Sequence, residues 1–186
     1  MKNNTINTAR VELLDSVQAY LISFRTYGTW LHGDDRGSVT KLNNQYGTPF
    51  AKPCKTLHRY NSNRLQNIPI FLAPNNQVIV LNSIKTTCEA FNWQLHAAHV
   101  RTNHVHVLLS GYQMPERIMM QLKVRATRML ICSCAYFKDK KIWSRHGSTK
   151  YIFKDNSILS AMRYIVDEQE ERLACGYEDW YDQIDA

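Results

Sequence analysis

Two histidines separated by a single residue, His104 and His106, lie in the stretch Thr102 to Gly111, Thr-Asn-His-Val-His-Val-Leu-Leu-Ser-Gly. Side chains alternate faces along a strand, so both imidazoles point one way while Val105, Val107 and Leu109 point the other. Neutral imidazoles about 7 Å apart along a strand can share one divalent metal ion. The same pattern also fits an ordinary half-polar strand face whose rings bond to neighbouring groups.

A histidine-triad hydrolase would need a third His where Leu108 stands, which counts against that chemistry. A second reactive constellation falls in Arg163-Tyr164-Ile165-Val166-Asp167-Glu168-Gln169. Tyr164 and Glu168 are four residues apart, on one face if this stretch is helical, so a phenol nucleophile and a metal-binding oxygen would sit side by side. Such an oxygen added to two imidazoles gives a three-ligand site for Mg²⁺ or Mn²⁺ with positions left for phosphate oxygens. Tyr164 as a plain helix-core aromatic is the competing reading.

Cations are unevenly placed. Lys138, Lys140, Lys141, Arg145, Lys150 and Lys154 face a single acid, Asp139, whereas Asp167 to the end carries eight acids against Arg172. The whole chain has 23 Lys and Arg against 16 Asp and Glu, net +7, a balance that favours a polyanionic partner. Between residues 38 and 70 basic side chains interleave with aromatics, among them Phe50, Lys52, Lys55, His58, Arg59, Tyr60 and Arg64, as a surface that stacks bases and binds phosphates would have them. A merely solvated excursion has the same composition.

The elements that must position these groups follow from periodicity. Ala19 to Leu31 is rich in strand formers and stops at the turn cluster His32 to Gly37. Residues 38 to about 70 show no sustained period and read as a loop. Apolar spacing predicts a helix over roughly 76–91, a strand over 93–100, a tight turn at 101–103 and then the histidine strand. Pro115 opens a helix with the apolar stripe Ile118, Met119, Leu122, Ala126, Met129 and Leu130 and a basic side bearing Lys123, Arg125 and Arg128. A short strand near 151–153 and a helix from Ile158 to Gln169 capped by Ser157 complete the order. The plan is a ferredoxin-like (RRM-like) α+β fold, an antiparallel sheet with helices on one face and an added C-terminal helix carrying the tyrosine. The expected divisions are an N-terminal arm at 1–18, a domain at 19–170 and an acidic tail at 171–186.

Five cysteines without paired Cys-x-x-Cys spacing suggest neither a disulfide framework nor a zinc ribbon. No apolar run is long enough to span a bilayer, and Met1 to Asn7 lacks the core of a signal peptide, so the expectation is a soluble cytoplasmic protein. With seven glycines and no phosphate-cradling loop, Rossmann and P-loop chemistry is excluded.

His104-Val105-His106 followed by Leu108-Leu109, a basic helix and Arg163-Tyr164-Ile165 with Gln169 resembles the single-tyrosine HUH transposases. Tyr27 to Gly37 and Arg145 to Tyr151 more narrowly resemble the REP-associated tyrosine transposases, over roughly residues 19 to 170. The resemblance implies a metal-dependent endonuclease that cuts and rejoins single-stranded DNA beside a hairpin. His104 and His106 would bind Mg²⁺ or Mn²⁺, and Tyr164 would attack the phosphate to leave a 5′-phosphotyrosine and a free 3′-hydroxyl. In the insertion-sequence enzymes the third ligand, often Gln, falls four residues after the tyrosine; here that position is Glu168, and Gln169 comes five after. Helix phase favours Glu168 and residue identity Gln169. Arg36, Lys123, Arg125, Arg128, Arg145 and Lys150 are the expected DNA contacts, in a monomer or homodimer. The alternatives are a domesticated hairpin-binding protein without catalysis and a phosphoesterase that uses the histidines without a tyrosine nucleophile.

Overall fold

Ala19–Thr26 forms strand β1, and its alternation sends Tyr20, Ile22 and Phe24 to one side and Leu21, Ser23 and Arg25 to the other. The structure, a computed structural model, describes residues 16–40, 43, 47–166 and 175–176. The remaining elements are α1 (Lys55–Asn63), α2 (Pro74–Phe91), β2 (Gln94–Val100), β3 (His104–Ser110), α3 (Pro115–Ser133), a 3-10 turn (Ala135–Phe137), β4 (Trp143–Ile152), α4 (Asp155–Val166) and β5 (Cys175–Gly176). The sheet is antiparallel throughout, in the order β4-β1-β3-β2-β5. Its central strands follow the ferredoxin-like plan, as the sequence predicts.

The two faces differ greatly in how much they bury. Among the described residues, Ile22, Phe24, Val105, Val107 and Leu109 meet Val80, Ile84, Ile118, Leu122, Ala126 and Leu130 of α2 and α3 in the main core. On the opposite face, among the described residues, Ala19, Ala97, Leu108, Ile152, Met162 and Ile165 form a smaller buried cluster, and this holds α4 against the sheet. At roughly 1.5–3 kcal/mol per fully buried large aliphatic side chain, the tyrosine-bearing helix is the more weakly docked layer.

Several expectations need correction. β1 ends at Thr26, because the chain turns at Gly28 (φ +75), where a Cβ would press on Pro69; Trp30 and Leu31 belong to the loop beyond. The stretch 38–70 is not all loop, since α1 forms within it; α1 is mostly polar, with Leu57 and Tyr60 as its large apolar side chains, and buries no residue. β4 spans ten residues rather than a short piece near 151–153, and its polar run Ser144 to Lys150 is strand because β1 supplies the hydrogen bonds at a sheet edge. Ser157 does not cap α4: the helix starts at Asp155 and the Ser157 amide donates to Lys154 O inside the first turn. The expected 1–18 arm, apart from its last three residues, and the 171–186 tail, apart from Cys175–Gly176, lie outside the described residues. Among the described residues no helix is long and apolar enough to cross a membrane.

Candidate functional site

Register decides what surrounds the histidines. β1 pairs with β3 so that Arg25 stands opposite His104 and Ser23 opposite His106, while β2 places His99 opposite His106 from the other side. The two imidazoles point to the α4 face, with ring centroids 4.9 Å apart and planes near perpendicular. Each is fixed through Nδ1. His104 Nδ1 donates to Asn103 Oδ1 at 2.6 Å, and His106 Nδ1 is hydrogen-bonded to Ser23 Oγ at 2.6 Å. This leaves Nε2 on both rings for another task, the arrangement in which a second polar partner orients a metal ligand.

Both rings are held neutral. His104 is pushed down to about 3 by burial first, then by its coupling to the His106 ring, the Arg25 and Arg101 cations and the His99 ring, each of which disfavours a further positive charge there. His106 is pushed down to about 4, again by burial first and then by His99, Arg25 and Arg101. A neutral imidazole with a free ring nitrogen is what a divalent ion requires, so these two residues fit such an ion. Among the described residues no group of three or more His, Cys, Asp or Glu could hold a metal ion. Glu168 and Gln169, the expected third ligands, lie outside the described residues.

Tyr164 stands beside this pair in the same chain, its ring centroid 5.8 Å from that of His106 and 75° to it. Met162 and Ile165, three residues apart, point into the sheet cluster and dock α4. Tyr164, one residue before Ile165, therefore turns about 100° aside, onto the helix side that also carries Ser157, Ser160 and Ala161. His99 is buried and its Nδ1 donates to Ile165 O at 3.2 Å, tying the sheet to the backbone next to the tyrosine. The helix flank and the β4 end enclose an open cleft of about 800 Å³, floored by Leu21, Ser23 and His106 and rimmed by Lys150, Phe153 and Lys154. Tyr164 is 40% exposed at its edge, which disfavours the core-aromatic reading.

Of the expected DNA contacts, Lys150 lines this cleft. Arg145 is exposed on the same strand. Lys123, Arg125 and Arg128 belong to α3, which packs on the opposite sheet face from the histidines. Lys123 is half-buried, with Nζ donating to Ser144 O and His146 O at 2.9 and 3.2 Å, and burial pushes it down to about 8; it fastens α3 to β4. Arg125 lies over the Phe91 ring, 5.0 Å from its centroid, and Arg128 is exposed. Arg36 donates to both oxygens of Asp34 at 2.7 Å and to Thr29 O, so it braces the turn after β1 and holds the Asp34 carboxyl down at about 2.

Sequence reasoning missed Ser23, Arg25, Trp30 and His99. Arg25 lies over Trp30, its Cζ 3.3 Å from the ring centroid, and Arg36 lies 4.5 Å from that same ring centroid. Burial, with Arg36 second, pushes Arg25 down to about 10, so it stays a cation at neutral pH. The period-two alternation of Ala19 to Thr26 already put Ser23 and Arg25 on one face; that this face is the histidine face required the register.

A family model described as "Transposase IS200 like" matches residues 71–168. Among solved structures, the chain is similar at 11% identity to a REP-associated tyrosine transposase bound to a REP hairpin, with TM-score 0.43, over 81% of this chain and 65% of that one. It is also similar at 11% identity to a Deinococcus radiodurans R1 protein assigned as a transposase, with TM-score 0.42, over 83% of this chain and 93% of that one. The chain thus spans 65% of the length of the first of these structures. No curated protein matches.

Proposed function

The chain belongs to the IS200-like transposases, whose family model covers more than half of it, and from that premise we propose that it cuts and rejoins single-stranded DNA beside hairpin elements through a tyrosine-linked intermediate. The observation that carries this reading is the Tyr164 ring beside His106, at the edge of a cleft rimmed by lysines.

His104 and His106 would hold Mg²⁺ or Mn²⁺ through Nε2, with Glu168 or Gln169 as the third ligand. Such an ion supplies charge stabilisation for a phosphate that becomes five-coordinate. The chain's own groups do the rest. Tyr164 Oη attacks phosphorus; the O–P bond to tyrosine forms, the P–O3′ bond breaks, the phenolic proton is lost and the departing 3′ oxygen takes one up. The products are a 5′-phosphotyrosine and a free 3′-hydroxyl, and attack by another 3′-hydroxyl reverses the step without ATP. Arg25, held by Trp30 and set opposite His104, adds a fixed cation where negative charge develops. Lys150 and Lys154 at the rim would hold the flanking phosphates.

The test is a labelled hairpin-containing single strand incubated with the protein and Mn²⁺, then denatured. A covalent protein–DNA adduct is expected from the wild type and none from Tyr164→Phe, which should bind the same DNA with nearly unchanged affinity. Product release without any adduct would instead support the phosphoesterase chemistry, and binding without cleavage the domesticated binder.

A further inference from the structure

From Gly37 to Cys88 the sequence contains no Asp or Glu, while Lys41, Lys52, Lys55, Arg59, Arg64 and Lys85 fall within it. Between residues 39 and 69 none of the described residues is buried, and this stretch includes the whole of α1. A nine-residue helix with no buried face lacks the tertiary packing that normally stabilises one. Yet its frame is built. The Cys54 amide donates to Gly33 O at 3.0 Å, Asn61 Nδ2 to His32 O at 3.2 Å and the Gln66 amide to Tyr27 Oη at 3.0 Å. Gly33 sits at φ +91, where a Cβ would run into Cys54 O and the His58 amide. What this frame presents outward is apolar and aromatic: Phe50 is 56% exposed, Tyr60 55% and Leu57 42%.

Two further contacts give the surface a direction. Arg64 lies over the Tyr60 ring one helical turn away, 5.2 Å from its centroid, and donates to the Tyr60 hydroxyl. Phe50 meets Trp30 edge to face at 6.5 Å, and Trp30 in turn carries Arg25 opposite His104. Rings and cations therefore continue from the histidine pair through Arg25, Trp30 and Phe50 to the segment that bears α1.

We infer that residues 47–70 form a second nucleic-acid site, which holds unpaired nucleotides of the strand beyond the histidine pair. Cations without neighbouring acids displace counterions from phosphates, and exposed rings stack on bases whose faces are free, which a duplex does not offer. A second copy of the chain fits poorly, because it would set two predominantly cationic surfaces against each other, with Asp34 already taken up by Arg36. The inference rests on the transposase reading only in taking DNA as the polyanion.

Binding of a fluorescent oligothymidylate and of a duplex of equal length, measured by anisotropy in EDTA, tests it without any cleavage step. Tyr60→Ala, and separately Arg59→Ala with Arg64→Ala, are expected to weaken single-strand binding roughly five- to hundredfold, with little change for the duplex. Tyr60→Phe keeps the ring and should stay within about twofold of wild type. The double Arg variant should also flatten the log affinity against log salt slope by roughly 1.4 for its two lost cations. Since α1 buries nothing, unchanged thermal midpoints are expected for all variants. Wild-type single-strand affinity in the Ala variants overturns the inference, and if their sedimentation also becomes less concentration-dependent, the surface belongs to a second copy. Loss of single-strand affinity in a protein that forms no covalent adduct leaves the inference standing and removes the cleavage chemistry.

Discussion

Lowering the pH from 7.5 to 5 should destabilise this protein through the histidine pair. In the folded state His104 titrates at about 3 and His106 at about 4, whereas an unfolded histidine titrates near 6.5. Between those limits the unfolded chain binds more protons than the folded one, so stability is full above about 6.5 and falls as pH drops toward the folded values. At pH 5 each ring has lost roughly 1.5 pH intervals at about 1.4 kcal/mol each, or about 2 kcal/mol. Both rings keep some solvent contact, which screens the effect, so about 2–3 kcal/mol for the pair is the realistic loss, a large part of the 5–15 kcal/mol typical of a domain. The assay is urea unfolding at pH 7.5 and 5 for wild type and for His104→Asn with His106→Asn. His96, also lowered by burial, contributes equally to both proteins and cancels in the comparison. The wild type should lose about 2–3 kcal/mol more than the double variant over this interval. Equal losses would refute the reasoning, because they would mean the two imidazoles are as solvated in the folded protein as in the unfolded chain.

Arg25→Gln should slow covalent adduct formation about a hundredfold while weakening DNA binding far less, since a fixed cation is lost where charge develops; single-turnover rates at saturating DNA measure this. Gly147→Ala should destabilise the fold by about 1–3 kcal/mol, because the added methyl would collide with Ser23 O and Met119 Sδ; chemical denaturation reads the loss. Leu108→Ala should cost about 2–5 kcal/mol and raise hydrogen exchange first in α4, because Leu108 is fully buried beneath that helix. If Glu168 is the third ligand, Glu168→Gln should need more Mn²⁺ for cleavage and Gln169→Ala should matter little; the reverse ranking in metal titrations assigns Gln169.

Local pattern was enough for the parts of this protein whose period is intrinsic. Alternation placed His104 and His106 on one face of β3, and the apolar stripes, with Pro115 opening the second, marked α2 and α3 close to their true bounds, α2 starting at Pro74 rather than near 76. Tyr164 was legible as a helical residue, and its distance from His106 was not. That distance depends on α4 docking through Ile165 and Met162 onto Leu108 and Ala97, contacts made between residues far apart in the chain. The same limit hid Arg25, Ser23 and His99, because a strand's own sequence says which side chains share a face but not which strand lies opposite or in what register; that is set by interstrand hydrogen bonds and burial together. It also left open where the basic residues of α3 lie, since the helical phase was readable and the sheet face it covers was not. β4 and α1 were missed for a related reason, as one is an edge strand with polar side chains and the other a mostly polar helix that buries nothing, so neither carries the broad apolar stripe of a core-facing element. Sequence thus determined which groups could react, and tertiary packing decided which of them meet, since packing is where the chain's non-local contacts are chosen.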